Sequence, residues 1–321
     1  MKRFFVKSVS ILLCAFFLFY GMTALLLFGG PKAFAENYQQ GYIYQYRALE
    51  RAKGEKIVTV GGSNVSFNVN TDLMTSLTGI PAYNLGIHAD MGYCYVFEDV
   101  EPFIGKGDKV IFPLWPFTKN DYGSTLIWIT LEGQPDLIGN FISRHPVEAL
   151  SSVGSFSLKK LYALTAGKFA DGLKAKYGDE TAWGYKASSF DPETGNMTYV
   201  REEPVSPYGV MLLNKFRFTP KSLSDWYISY INGFIDRCRA KGAEVYLTYP
   251  TVMRESLSMT EEEVATYTAF AKEQFHAEFI TDFLSVCYAY EDYFNIATHL
   301  NSAGMDKYTA ALANGLRNAM A

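Results

Sequence analysis

The chain has 321 residues, of which 49% are apolar and 19% charged, and 29 basic against 33 acidic side chains leave a net charge of −4. No long basic run is present, which argues against a nucleic-acid interface built on phosphate neutralisation. Cys14, Cys94, Cys238 and Cys287 are widely spaced with no Cys-x-x-Cys or Cys/His cluster, so neither a zinc site nor a disulfide framework is expected; one disulfide among the last three stays open.

Lys2, Arg3 and Lys7 precede a stretch from Ser8 to Gly30 that carries no charge at all. A helix needs about 20 apolar residues to cross the hydrocarbon core of a bilayer, and this run meets that length. Positive charge before the span predicts an N-terminus inside and the remainder of the chain outside. Ala33-Phe34-Ala35 before Glu36 also fits a signal-peptidase site, but the apolar run exceeds the usual length of a cleaved signal. The expectation is therefore a segment 1–35 that anchors the chain in the cell membrane by a single pass, and an extracytoplasmic domain over 36–321. Both readings export the domain.

After a polar lead-in (36–54), short β-branched runs alternate with helical patterns. Strands are expected at Lys56–Val60, Tyr83–Ile87, Asp108–Leu114, Glu244–Tyr249 and Glu278–Thr281. Helices are expected at 69–78, 93–104, 221–241, 260–275 and 302–319; Thr260 with Glu263 three residues on makes a capping-box pattern. Between about 124 and 218 the texture changes to long helical periodicity with breaks at Gly133, Pro135, His145-Pro146 and Gly154, followed by a loop-rich stretch with a turn at Asp191–Gly195. This block reads as an insertion. The whole predicts an α/β fold: a mostly parallel sheet covered by helices on both faces. Aromatics make up 16% of the chain, and a core role is favoured over a sugar-stacking groove.

The ligand site of such a sheet lies at the carboxyl ends of its strands. There, Val58-Thr-Val-Gly-Gly-Ser63 runs from a strand through two glycines to a serine at a helix start. Helix-terminal N–H groups can hold a developing oxyanion, which suits Ser63 to a nucleophile, although Ser is also an ordinary helix cap. At the far end, His299 precedes the last helix, with Asn301 or Ser302 as its cap, and is the candidate general base. His88, just after the second strand, is placed to touch substrate, whereas His145 and His276 read as structural. No H-E-x-x-H, P-loop or G-x-G-x-x-G pattern is present, and no metal or cofactor is expected.

A serine in a Gly-Ser turn after the first strand, with a histidine just before the C-terminal helix, resembles the SGNH/GDSL hydrolase superfamily. The likeness extends to its membrane-anchored branch, which includes the teichoic-acid D-alanylation protein and cell-envelope polysaccharide O-acyltransferases. It rests on Gly61-Gly62-Ser63-Asn64, on Asn84-Leu85-Gly86, and on His299-Leu300-Asn301 with Gly304, and covers about 56–118 and 221–320. The resemblance implies an SGNH/flavodoxin-like sheet, Ser63 and His299 as a reactive pair, Gly86 as an oxyanion-hole donor and Asn64 beside the substrate. Asn120 is the candidate for the family's oxyanion-hole asparagine. The family's acid lies three residues before its histidine, where this chain has Ile296; Asp292 or a backbone carbonyl is then expected to orient the imidazole, with Asn295 between them in sequence. Implied activity is ester hydrolysis or acyl transfer on an acylated envelope glycan, with a membrane O-acyltransferase as partner. Two other readings are a non-catalytic scaffold that binds an envelope glycan or such a partner, and an ordinary secreted esterase.

Overall fold

A computed structural model describes residues 2–28, 30–119, 122–167 and 185–321. Its principal elements begin with α1 (Lys2–Phe28), α2 (Gln40–Arg51), β1 (Ile57–Val60), α3 (Ser63–Asn68), α4 (Thr71–Thr78) and β2 (Ala82–Leu85). Then come α5 (Tyr93–Val100), β3 (Lys109–Pro113), α6 (Ser124–Thr130), α7 (Pro135–Arg144) and α8 (Pro146–Tyr162). The chain ends with α9 (Asp225–Ala240), β4 (Glu244–Thr248), α10 (Glu261–Gln274), β5 (Glu278–Phe279) and α11 (Ser302–Met320). Two compact units result: Met1–Gln40 with Gly123–Ala187, and Gly41–Tyr122 with Ser188–Ala321.

The second unit holds the sheet. Five strands pair in the order β2-β1-β3-β4-β5, all parallel, with Val58 opposite both Tyr83 and Val110, Ile111 opposite Tyr246, and Leu247 opposite Phe279. This is the order of flavodoxin-like doubly wound sheets and is consistent with SGNH-like folds. Every residue of β1 and β3 is buried, as it must be when helices cover both faces of a parallel sheet. α9 supplies Tyr227, Ile231, Phe234 and Ile235 to the core, and α11 supplies Tyr308, Leu312 and Leu316. Rings fill much of this interior: Phe97 meets Phe112 and Phe234 edge to face at 5.0 and 4.7 Å. At the amino edge of the sheet, Lys56 and Asp108 form a buried ion pair of 2.7 Å. Asp108 also accepts from the Gly105 and Lys56 N–H groups, and the pair pins the starts of β1 and β3.

The expected helices appear with shifts at their ends. Thr260 and Glu263 form the capping box of α10, and Asn301 caps α11 by accepting from the Gly304 N–H at 2.9 Å. The predicted 69–78 helix is preceded by a separate short one, α3, because Asn70 caps a new start with its side chain. The stretch 188–218, expected inside the insertion, groups instead with the sheet. Its Asp191 carboxylate accepts from the Glu193 and Thr194 N–H groups at 2.9 and 2.7 Å, which closes the expected turn and holds that carboxyl below its usual range.

In the first unit, α1 is a helix of 27 residues, long and apolar enough to cross a membrane. α6, α7 and α8 pack around Trp128, whose indole N–H lies 3.2 Å from the Ala149 carbonyl and 3.1 Å from Ser152 Oγ. The expected breaks at Pro135 and His145-Pro146 separate these helices, whereas α8 runs through Gly154. Glu132 and Lys160, 2% and 1% exposed, form a 2.8 Å ion pair. The same carboxylate accepts from the Ala33 and Phe34 N–H groups, the latter at 2.7 Å, and so holds the chain just after α1. Cys94, Cys238 and Cys287 are buried free thiols, and burial pushes Cys238 and Cys287 up to about 12 and about 11.

Candidate active site

The site lies at the carboxyl end of β1, the strand from which the sheet order runs one way to β2 and the other way to β3. β1 leads through Gly61 and Gly62 into Ser63, the first residue of α3. Neither glycine needs a left-handed backbone; close packing is the constraint instead. A Cβ on Gly61 would lie 2.5 Å from the Val65 side chain, and one on Gly86 would lie 2.0 Å from the Gly61 carbonyl oxygen. The ends of β1 and β2 therefore touch through their backbones at the point where Ser63 emerges.

His299 is delivered by a tight turn. Tyr293 and Leu300 form an antiparallel bridge, the Phe294 N–H donates to the His299 carbonyl at 2.8 Å, and the His299 N–H donates to the Ile296 carbonyl at 3.1 Å. Asn68, at the end of α3, clamps this turn. Its Nδ2 donates to the Thr298 carbonyl at 2.9 Å, and its Oδ1 accepts from the Leu300 N–H at 2.8 Å. Gly304 lets α11 close on the turn, since a Cβ there would meet the Asp292 carbonyl oxygen at 2.3 Å.

With both segments so held, His299 Nε2 lies 2.8 Å from Ser63 Oγ and His299 Nδ1 lies 3.0 Å from Asn295 Oδ1. An amide oxygen can only accept, so Nδ1 carries the imidazole proton and Nε2 is the acceptor for the serine hydroxyl. Phe67 stacks on the imidazole with ring centroids 4.1 Å apart and planes 3° from parallel. The Arg201 guanidinium lies over Phe67 at 5.0 Å from its centroid and donates to the Phe67 carbonyl at 3.0 Å. Burial pushes His299 down to about 3, and the charges of Arg201 and His88 add to that effect. The imidazole is therefore neutral at ordinary pH and able to take a proton.

The other expected residues fall differently. Asp292 does not reach the imidazole; its carboxylate bonds to Lys307 at 2.7 Å, and Asn295, one turn closer to the histidine, takes the orienting position. Gly86, expected as an oxyanion-hole donor, packs against Gly61, and its N–H donates to Gln45 Oε1 at 3.0 Å. Asn64 accepts from the Gly62 N–H at 3.1 Å, so its amide oxygen closes the loop that presents Ser63. His88 is half-buried near the pair, with Nδ1 accepting from the Asp90 N–H at 3.1 Å. Asn120 lies outside the described residues.

No sequence pattern marks Gln45, Phe67, Asn68 or Arg201 as part of the site. Asn295 carries a faint signal, a polar side chain four residues before the histidine in a turn-rich segment. Gln45 has none. It is buried on α2, where its Nε2 donates to Ser66 Oγ at 2.9 Å. No protein-family model matches this sequence, and no curated protein matches it.

Proposed function

We propose that the chain is a membrane-anchored cell-envelope esterase or O-acyltransferase of SGNH type that works through Ser63. The observation that carries this reading is the Ser63–His299–Asn295 relay, with contacts of 2.8 and 3.0 Å. His299 Nε2 takes the Ser63 proton as Oγ attacks an ester carbonyl. The imidazolium then returns that proton to the departing alcohol, leaving an acyl-serine. Water or a sugar hydroxyl attacks the acyl-serine next, again with His299 as base. Asn295 holds the tautomer, as Asn does in Cys-His-Asn proteases, but supplies no negative charge to the imidazolium. The Ser63 N–H, at the first turn of α3, serves as an oxyanion donor, whereas the Gly86 N–H is tied to Gln45.

An N-terminus inside and a domain outside follow from the basic residues before the apolar run of α1. Retention of the anchor is supported by the Ala33-Phe34-Ala35 segment. The Ala33 and Phe34 N–H groups are bonded to Glu132, and the Phe34 ring lies 6.2 Å from that of Phe156. Outward placement suits an acylated glycan as substrate and a membrane O-acyltransferase as partner.

A second reading, a non-catalytic scaffold of the same fold that binds an envelope glycan or such a partner, draws on the occupied Gly86 N–H, on Ile296 at the family's acid position and on an amide, Asn295, as the imidazole's partner. The test is to treat the detergent-solubilised full chain with a fluorophosphonate probe and p-nitrophenyl acetate, beside Ser63→Ala and His299→Ala. Labelling lost in both variants supports the enzyme. Labelling that persists in Ser63→Ala rejects the nucleophile, and an unlabelled but folded wild-type chain supports the scaffold.

A further inference from the structure

We propose that α8 lies in the outer leaflet beside α1, and that the cleft between them holds a lipid acyl chain; this rests on the anchored reading above. α8 has three faces. Ala149, Ser152, Val153, Phe156, Ser157 and Lys160 are buried in the unit. Ser151, Ser155 and Lys159 make a polar exposed strip. The third face is apolar and also exposed: Val147, Leu150, Leu158 and Leu161 are 73, 61, 67 and 43% accessible. With Gly154 between them they follow helical spacing and form one continuous stripe. A contiguous exposed apolar stripe of this kind marks a surface that meets a membrane or a partner.

The contacts of α8 with α1 say what covers it. Ser157 Oγ lies 3.3 Å from Thr23 Oγ1, and the Phe19 ring stands 3.2 Å from where a Gly154 Cβ would be. Counted from Ser8 at the helical rise, Phe19 lies ~17 Å and Thr23 ~23 Å into a hydrocarbon layer ~30 Å thick. If α1 spans the bilayer, the middle of α8 sits at the same depth, within the outer half. Its apolar stripe then continues the lipid-facing surface of α1, and its polar strip marks the side turned towards protein or headgroups.

Between the two helices is a cleft of about 350 Å³, lined by Tyr20 and Ala24 of α1, Trp128 of α6, Ile142 of α7, and Leu150 and Val153 of α8. Ile142 and Leu150 are themselves exposed, so the cleft opens on the same side as the stripe. Its walls are almost wholly apolar, its volume suits a small ligand, and the medium at that depth is acyl chain.

The test uses the full chain in phosphatidylcholine vesicles, in a Cys14→Ser background. An environment-sensitive fluorophore is placed at Leu150→Cys, at Leu158→Cys, at Ser155→Cys, and at Leu18→Cys in α1 as the control for the anchor. Lipids spin-labelled along the acyl chain should quench the probes at 18, 150 and 158 several-fold more than aqueous iodide does, and the probe at 155 should show the smaller ratio. A phosphatidylcholine with a photoreactive acyl chain should label α6 or α7, and Ala24→Phe, which fills the cleft, should reduce that labelling at least threefold. A quenched probe at 18 with probes at 150 and 158 open to iodide overturns the proposal and leaves the anchor standing. Probes at 150 and 158 shielded from both quenchers also overturn it, because a protein partner then covers the stripe. A mature chain that begins at Glu36 by mass spectrometry removes the anchor reading and this one together.

Discussion

β1 and α8 are both rich in apolar residues, yet Ile57, Val58 and Val60 are fully buried while Val147, Leu150 and Leu158 are 73, 61 and 67% exposed. The strand β1 is closed over on both faces and leads to a half-buried hydroxyl, Ser63, at its end. The helix α8 buries an ammonium, Lys160, against Glu132 on one face and turns a row of leucines outward on another. Burial of apolar surface stabilises a fold in water, and a contiguous exposed apolar stripe marks a surface that meets a protein partner or a membrane.

That contrast can be tested at its strongest points first. Ser63→Ala or His299→Ala should lower kcat/KM for an activated ester by at least ~10³-fold, about 4 kcal/mol of transition-state stabilisation, with far-UV circular dichroism unchanged. Comparable rates in variant and wild type would leave the sheet unit without its reactive pair.

In the helical unit, Glu132→Leu removes an ion-pair partner of the buried Lys160 ammonium and the acceptor of the Ala33 and Phe34 N–H groups. It should cost about 3–5 kcal/mol, seen as a lower midpoint of thermal unfolding in micelles. Glu132→Leu with Lys160→Met should recover part of that loss, because the buried ammonium is then removed together with its carboxylate. Failure to recover would mean that the bonds to Ala33 and Phe34, not the ion pair, carry the stabilisation.

A smaller loss is expected in the sheet unit from Gln45→Leu, about 1–3 kcal/mol by chemical denaturation, since the Gly86 N–H and the Ser66 hydroxyl lose a buried partner. This variant also removes the acceptor from the Gly86 N–H. A rise in esterase rate per folded molecule would show that the glycine can serve the oxyanion once released.

The mildest test is of pH. His299 is pushed down to about 3 by burial, so the acid limb of acylation should fall well below pH 6.5. Between these two values the unfolded chain holds a proton that the folded chain does not. The group therefore lowers stability as pH falls from 6.5 towards 3 and has no such effect above 6.5. Asn295→Asp sets a carboxylate against Nδ1–H, which favours the imidazolium, and should move the acid limb to higher pH. An unmoved limb would mean that residue 295 does not face the imidazole in solution.

Local chemistry explains what is legible in the sequence alone. β-branched runs, a capping box at Thr260 and an uncharged stretch after Lys7 are patterns of near neighbours, and they suffice for the strand–helix alternation and for a long apolar α1. The positions of Ser63 after the first strand and of His299 before the last helix can be read for the same reason. Tertiary structure alone decides the partners. Gln45 reaches Gly86 across 41 residues and Arg201 reaches Phe67 across 134, while the turn at Ile296 brings Asn295 to His299 and leaves Asp292 to Lys307. It also decides that residues 188–218 fold with the sheet and that the apolar stripe of α8 stays uncovered. Helices and strands follow from torsions and periodicity within one segment, whereas a hydrogen-bond partner or a buried face is selected only when distant segments compete for the same space.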